Sequence, residues 1–376
     1  MKKRLYSLFM CMSFFIFTPV YAVPVKTVVI RVVGTNSSWG QEAMPGWVRA
    51  SPIKSTRGYS VYDLEIARTD ASSPELWQPP TYAALYKFPD WSDANPFMSN
   101  DEALHYKTSS TLKKITFKQY TGSSADYYRS STAVSAALKA LVNQVLIREK
   151  GLTRLVLFYS GHGSPHVFFE GVISNPDSED FVKTLRKKLG KKTFILDFST
   201  NCDVGSFDFA VRYYRFADYL IASDKPVGGY SPNVTNGEGY FTMDHDGNLA
   251  EFWKNTHNLE QAFDVIMATR KNRWDAVSDS LRDSANPQSL SVYKLAEFET
   301  LLTTLKANGL NPAVDLPTAS NDLATYAYAS GNADLIAAMN KFRIRYASDR
   351  NYVTWSDDSQ GFSVDNITSL ESYLNQ

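Results

Sequence analysis

The sequence predicts an α/β protein in which a mostly parallel sheet is flanked by helices on both faces. Between residues 131 and 222, apolar runs of strand length alternate with segments of helical periodicity, and glycines such as Gly151 and Gly190 separate them. A β-branched run at residues 25–33 supplies an opening strand. Strands that alternate with helices of this length are typical of βαβ units, in which the strands are parallel and buried on both sides.

The first predicted helix begins near Ser130 or Ser131, either of which can serve as its N-cap, and ends at Gly151. Its inward face repeats at helical spacing and consists of Val134, Leu138, Leu141 and Val145. Residues 154–159 (RLVLFY) follow as a continuous apolar strand, which is the pattern of a strand buried in a parallel sheet.

A second helix is predicted from an N-cap at Ser178 to Gly190, and the next strand covers residues 193–198 (TFILDF). A helix over residues 207–217 and a short strand over residues 219–222 complete the regular block. Closer to the C-terminus, a helix is expected around Leu335 to Tyr346.

The first residues are typical of a secretory signal peptide. A positively charged start precedes a short apolar run. The small or branched residues that a signal peptidase recognises follow this run and end at Ala22, after which we expect cleavage. We therefore divide the chain into a signal peptide (1–22), a main domain (23–290) and a mainly helical C-terminal extension (291–376) that packs on the domain or completes it. The expected location is the periplasm or the exterior of the cell.

Composition excludes two classes of function. The formal net charge is zero and no element carries a basic stripe, so a nucleic-acid partner is not expected. No segment after the signal approaches about 20 uninterrupted apolar residues, so no membrane span is expected. The oligomeric state is left open.

Cysteine use is informative in an exported chain. Of the two cysteines, Cys11 leaves with the signal peptide and Cys202 alone remains, so the mature chain cannot close an internal disulfide. A lone cysteine is often a small buried hydrophobe. Its other interpretation, a functional thiol, depends on its neighbours.

Those neighbours are two loops that follow strands. His162 comes directly after the strand at 154–159, and Cys202 comes just after the strand at 193–198. Because parallel strands end at the same edge of a sheet, both loops are expected in one cleft. His166 competes with His162 for the same role, but it lies beyond Pro165 and farther from the strand end.

A thiol and an imidazole in one cleft can hydrolyse peptide bonds. The thiolate is the nucleophile, and the imidazole protonates the leaving amine. The backbone N–H groups of Gly163 and Cys202 are candidate donors to the oxyanion. A predicted helix start near Gly205 and Ser206 would favour negative charge near the thiol.

These residues resemble a known family. The strand and turn LVLFYSGHGS are similar to the apolar strand plus His-Gly signature of caspase-like (clan CD) peptidases. The segments NCDVGSFDFA and FADYLIAS, with Gly-Gly-Tyr at 228–230, resemble clostripain-like peptidases. The resemblance implies a caspase–hemoglobinase fold, a catalytic dyad of His162 and Cys202, a protein or peptide substrate, and activation by self-cleavage.

The segment before the cysteine departs from that family. Clostripain-like enzymes have Asp-Ala there, and the resemblance implies that this Asp lines the pocket for a basic side chain. Here the two positions hold Thr200 and Asn201, and the nearest acid on the strand is Asp197. Thr200, Asn201 and Asp197 are therefore the candidate substrate-binding residues.

No cofactor or metal is expected. Residues 244–248 (DHDGN) have the spacing of part of a calcium loop but lack its third carboxylate and its bidentate Glu, so a polar Asp-Gly turn is our interpretation.

Three functions remain as hypotheses. The first is an exported cysteine endopeptidase that works through an acyl-enzyme. The second is an inactive or repurposed secreted homologue that acts as a binding or effector protein. The third is a transpeptidase or ligase that uses the same dyad.

Overall fold

A computed structural model describes residues 25–35, 59–67, 80–87, 111–118, 124–160, 163–164, 173–225, 258–275, 289–348 and 361–376. Several predictions lie outside these residues: the signal peptide at 1–22, the histidines His162 and His166, the glycine-aromatic turn at 228–230 and the calcium-like segment at 244–248.

The described strands are β1 (Thr27–Thr35), β2 (Tyr59–Ala67), β3 (Tyr82–Tyr86), β4 (Thr111–Thr116), β5 (Arg154–Ser160), β6 (Thr193–Phe198), β7 (Tyr219–Ala222), β8 (Ser289–Lys294) and β9 (Arg343–Ser348). The described α-helices are α1 (Ser124–Arg148), α2 (Asn175–Leu189), α3 (Phe207–Tyr213), α4 (Leu259–Asp275), α5 (Phe298–Ala307), α6 (Pro312–Thr318), α7 (Leu323–Ala329), α8 (Ala333–Phe342) and α9 (Ile367–Leu374).

The strands form one sheet in the order β4-β3-β2-β1-β5-β6-β7-β8-β9. The five central strands (β2, β1, β5, β6 and β7) pair in parallel. At each edge of the sheet, two further strands pair antiparallel. In the centre, Val29 of β1 lies opposite Val61 of β2 and Val156 of β5. The predicted α/β fold is confirmed, and the antiparallel edges are an addition that the sequence pattern had not indicated.

The two faces of the sheet carry separate cores. Phe194 and Leu196 of β6 join a large core with α1, α2, α3 and the C-terminal helices. Ile195, which points to the opposite face, joins a smaller core with Ile266 of α4. Helices therefore cover both faces, as predicted, because alternate side chains of each buried strand need an apolar partner on opposite sides.

The predicted starts of the first two helices were wrong, whereas the third helix begins at Phe207, as predicted. α2 begins at Asn175 and its N-cap is Ser174, whose hydroxyl accepts from the N–H of Asp177, because Pro176 suits the first turn of a helix. Ser178 instead lies inside α2 and is buried against Tyr213. α1 starts at Ser124, so Ser131 is internal and its hydroxyl accepts from the N–H of Ser174. Each helix begins several residues before the first residue of its predicted inward face, which is why the apolar pattern placed the starts too late.

The C-terminal region continues the sheet. The predicted boundary at 290/291 falls inside β8, which pairs with β7. The helix expected around Leu335 to Tyr346 ends at Phe342, and residues 343–348 pair with β8 as β9. The helix expected over 207–217 likewise ends early, at Tyr213.

Among the described helices, one stretch of α1, Arg129–Arg148, is long and apolar enough by length and composition to cross a membrane. Half of this stretch is buried inside the protein. Its apolar residues, including Leu138 and Leu141, belong to the large core, so we interpret it as a core helix.

Candidate active site

The segments that follow β5 and β6 meet at the carboxyl edge of the sheet. A Cβ placed on Gly163 would lie 2.5 Å from the carbonyl oxygen of Cys202, 2.7 Å from the Cβ of Asn201 and 2.8 Å from the nitrogen of Cys202. Such distances are too short for any side chain, so only glycine allows this close approach of the two chains. Gly163 and Cys202 were predicted to share one cleft, and their backbones are in direct contact.

The segment between β6 and Cys202 is anchored to the sheet. The N–H of Asn201 donates to the carbonyl oxygen of Phe198 at 3.0 Å and closes a turn. The hydroxyl of Thr200 donates to the carbonyl oxygen of Tyr159, at the end of the neighbouring strand, at 3.2 Å. The loop that carries Cys202 is thus tied to both β5 and β6.

The segment after Cys202 is held by the end of β7. The N–H of Asp203 donates to the carbonyl oxygen of Lys225 at 3.2 Å, and that of Gly205 donates to Ser223 at 2.7 Å. Asp203 has a φ of 55°, a left-handed conformation that Asp tolerates better than most residues. The chain therefore makes a sharp turn immediately after Cys202.

α3 begins only at Phe207, with Ser206 as its N-cap. Cys202 therefore lies in the turn and not in the first turn of the helix. α3 has seven residues, so the helix dipole that we had expected to favour a thiolate makes little contribution at Cys202.

Burial separates the predicted site residues into two groups. Cys202 is partly exposed, as is Gly163. In contrast, Thr200 is 3% exposed and both Asn201 and Asp197 are 0% exposed. The three candidate substrate-binding residues are therefore buried, whereas Cys202 and the residue after it, Asp203, are partly exposed.

Two carboxyl groups near the thiol have raised pKa values. Burial, together with the negative charges of Asp365 and Asp224, raises the pKa of Asp203 to about 6, and Lys225 opposes this effect. Burial also raises the pKa of Asp197 to about 6, although hydrogen bonding by the side chain and the N–H of Ser199 and, to a smaller extent, the charge of Arg270 partly offset it.

A C-terminal segment also contacts this site. Ser363 pairs with the loop: its carbonyl oxygen accepts from the N–H of Phe207 at 2.8 Å, and its own N–H donates to Gly205 at 3.2 Å. The carboxylate of Asp208 accepts from the N–H of Asp365 at 3.2 Å. Sequence patterns do not indicate these contacts, because about 157 residues separate the partners.

In the described part of the chain, no group of three or more His, Cys, Asp or Glu side chains is arranged to hold a metal ion.

No protein-family model and no curated protein matches this sequence. The fold, however, is similar to solved structures. A secreted C11 cysteine protease from Bacteroides thetaiotaomicron superimposes with a TM-score of 0.60 at 13% identity, over 94% of this chain and 97% of that one. A secreted C11 cysteine protease from the same organism, in complex with an irreversible peptide inhibitor, gives a TM-score of 0.56 at 14% identity, over 94% and 96%.

An inactive zymogen of a C11 protease from Parabacteroides distasonis gives a TM-score of 0.50 at 15% identity, over 93% of this chain and 94% of that one. Since all three cover nearly the whole of both chains, the similarity extends to the C-terminal region. The resemblance to clostripain-like peptidases is thus confirmed at the level of architecture: this chain has the fold of the C11 cysteine proteases.

Proposed function

We propose that the protein is an exported cysteine endopeptidase in which Cys202 is the nucleophile and His162 the general acid and base. The observation that carries the proposal is the contact between Gly163 and the backbone of Cys202. His162 directly precedes Gly163 in the chain, so this contact supports the proposal that His162 acts on Cys202. A scaffold that only binds a partner does not require this pair.

The proposed reaction has two steps. The sulfur of Cys202 attacks the carbonyl carbon of the scissile peptide while His162 takes the thiol proton, and the oxyanion accepts hydrogen bonds from the N–H groups of Gly163 and Cys202. His162 then donates that proton to the leaving amine, which leaves a thioester. In the second step water, deprotonated by His162, attacks the thioester and releases the acid and the thiol.

Thr200 and Asn201 are proposed to shape the substrate pocket, since both are buried and both donate a hydrogen bond to a backbone carbonyl oxygen, Thr200 from its hydroxyl and Asn201 from its N–H. Asp197 is fully buried in β6, two residues before Ser199, so we propose that any effect it has on substrate is transmitted through the loop. The side chain preferred at the cleaved bond therefore depends on the partly exposed residues around Cys202.

Export and a peptide substrate are supported by two observations. Residues 1–22 have the pattern of a signal peptide. The similar structures are described as secreted proteases, and one of them holds an irreversible peptide inhibitor.

A non-catalytic binding protein is the second candidate, and one specific observation favours it. Thr200 and Asn201 replace the Asp-Ala of the clostripain-like pattern, and both are buried. A pocket without that acid either accepts a different side chain of the substrate, or belongs to a protein that no longer cleaves peptides. A transpeptidase uses the same first step and differs only in the nucleophile that attacks the thioester.

The test uses the chain from residue 23, a thiol alkylator and a peptide library. We expect rapid alkylation at neutral pH and cleavage of some library members. Both should disappear in Cys202→Ala. In His162→Ala cleavage should disappear and alkylation should become slower, because the imidazole no longer takes the thiol proton. His166→Ala is the matched control and should retain activity. Cleavage that persists in Cys202→Ala, or a wild type that cleaves no peptide, would reject the peptidase; ligated products would indicate a transpeptidase.

A further inference from the structure

Resting on the proposed function, we propose that Asp197 and Arg270 are positioning residues: Asp197 binds the N–H of Ser199 and Arg270 binds its carbonyl oxygen, and together they hold the loop that carries Cys202. Neither residue touches substrate in this proposal. They act through the four residues from Ser199 to Cys202.

Arg270 supplies one half of this arrangement, which we call the Ser199 clamp. It lies on α4, is 2% exposed, and donates from Nη2 to the carbonyl oxygen of Ser199. The guanidinium also lies 5.7 Å from the ring of Trp274, one turn further along α4. A buried arginine that is fixed by an aromatic ring and bonded to a loop carbonyl has little freedom to move.

Asp197 supplies the other half. It is fully buried, and its Oδ1 accepts from the N–H of Ser199 at 3.1 Å. Its neighbours on the adjacent strands are Phe158 of β5 and Ile221 of β7, which are uncharged. From α4, the charged group that acts on it is Arg270. Burying both charges is costly unless each has a partner, and here they compensate one another while they bind the N–H and the carbonyl oxygen of Ser199.

The clamp lies where small movements matter. Ser199 is the second residue of the turn from Phe198 to Asn201, and this turn leads directly to the contact between Cys202 and Gly163. That contact has no space even for a methyl group on Gly163. If the Ser199 peptide moves, the thiol and the oxyanion donors move with it, and a displacement of about 1 Å can lower a rate by about 100-fold.

The experiment compares Arg270→Met, Arg270→Lys and Asp197→Asn with wild type. We expect kcat to fall by about 10- to 100-fold in Arg270→Met with little change in KM, because substrate contacts are retained. Arg270→Lys should recover part of the loss, since it keeps one donor. Ile266→Ala, on the same helix and also buried, is the control for a general loss of stability. It should lower the midpoint of unfolding without lowering kcat.

A pH profile of activity distinguishes a positioning role of Asp197 from a purely structural one. Wild type should lose kcat/KM more steeply on the acid side than Asp197→Asn, because protonation of Asp197 leaves Arg270 uncompensated, whereas asparagine does not titrate. Unchanged kcat in Arg270→Met, or acid limbs that coincide, would overturn the proposal.

The rate at which an alkylator modifies Cys202 gives a readout that needs no substrate. If wild type cleaves no peptide but alkylation changes in Arg270→Met and Asp197→Asn and not in Ile266→Ala, the peptidase fails and the clamp stands. If wild type cleaves peptides and all variants match it in kcat and in alkylation, the clamp fails and the peptidase stands.

Discussion

Replacing Glu149 by glutamine should destabilise the protein in a way that depends on pH. Glu149 follows α1 and its carboxylate joins three segments at the edge of the sheet opposite Cys202. Its Oε1 accepts from the Tyr62 hydroxyl at 2.5 Å and from Lys87 Nζ at 3.1 Å, and its Oε2 lies 2.8 Å from Lys26 Nζ. Glutamine keeps the shape but loses the charge, and its amide nitrogen faces donors.

The magnitude follows from the pKa of Glu149. Burial alone would raise this pKa, but hydrogen bonds from Lys26, Tyr62 and Lys87 outweigh it and lower the pKa from 4.5 to about 2. A shift of this size corresponds to about 3 kcal/mol of folding free energy. Because the folded-state pKa is depressed, this stabilisation is complete above pH 4.5 and is lost as the pH falls through about 2.

The assay is urea unfolding of wild type and Glu149→Gln between pH 2 and pH 7. We expect wild type to be more stable by about 3 kcal/mol at pH 7, with the difference shrinking below pH 4.5 and vanishing near pH 2. Glu299→Gln, at an exposed position on α5, is the control and should match wild type throughout. A difference that does not vary with pH, or no difference at all, would refute the argument.

Three further predictions test the site and its surroundings. Gly163→Ala forces the loop of Cys202 away, since its Cβ would lie 2.5 Å from a backbone oxygen, so kcat/KM in peptide hydrolysis should fall by about 100-fold while the protein remains folded by circular dichroism. Asp203→Asn should raise the midpoint of thermal unfolding at pH 7 but not at pH 4. Burial and two nearby carboxylates raise the pKa of Asp203 to about 6, so its ionisation between these pH values lowers the stability of the wild type. Asparagine does not ionise, and it tolerates the positive φ at this position. Tyr293→Phe removes the hydroxyl that donates to the carbonyl oxygen of Gly361, which should cost about 1–3 kcal/mol in urea unfolding; an unchanged midpoint would show that this bond does not hold the C-terminal segment.

Much of the central architecture could be predicted because its signals are local. Continuous apolar runs predicted β5, β6 and β7 almost to the residue, and alternation with helices indicated parallel pairing. Helix ends were less accurate. Ser174 and Ser178 are equally good caps by type, and Pro176 between them marked the earlier start, a signal that the prediction had overlooked.

The candidate site was predicted only in part. The positions of the two loops follow from strand order, so the approach of Gly163 to Cys202 could be anticipated. The burial of Thr200 and Asn201 could not, because exposure depends on what packs around the loop. Arg270 gave no signal at all, since a single arginine on a helix usually lies at the surface, and its partner Ser199 is 71 residues away in the chain.

By itself, the sequence determined where the central strands and helices form, because apolar periodicity acts over a few positions. It also predicted which residues can do thiol chemistry and at which edge of the sheet their loops emerge. The tertiary structure alone decided which surfaces enclose those residues. Burial of Asp197 against α4, the Ser199 clamp and the pairing of Ser363 with Gly205 depend on packing between segments far apart in the chain. Such contacts form only when the whole core closes, so no local pattern encodes them.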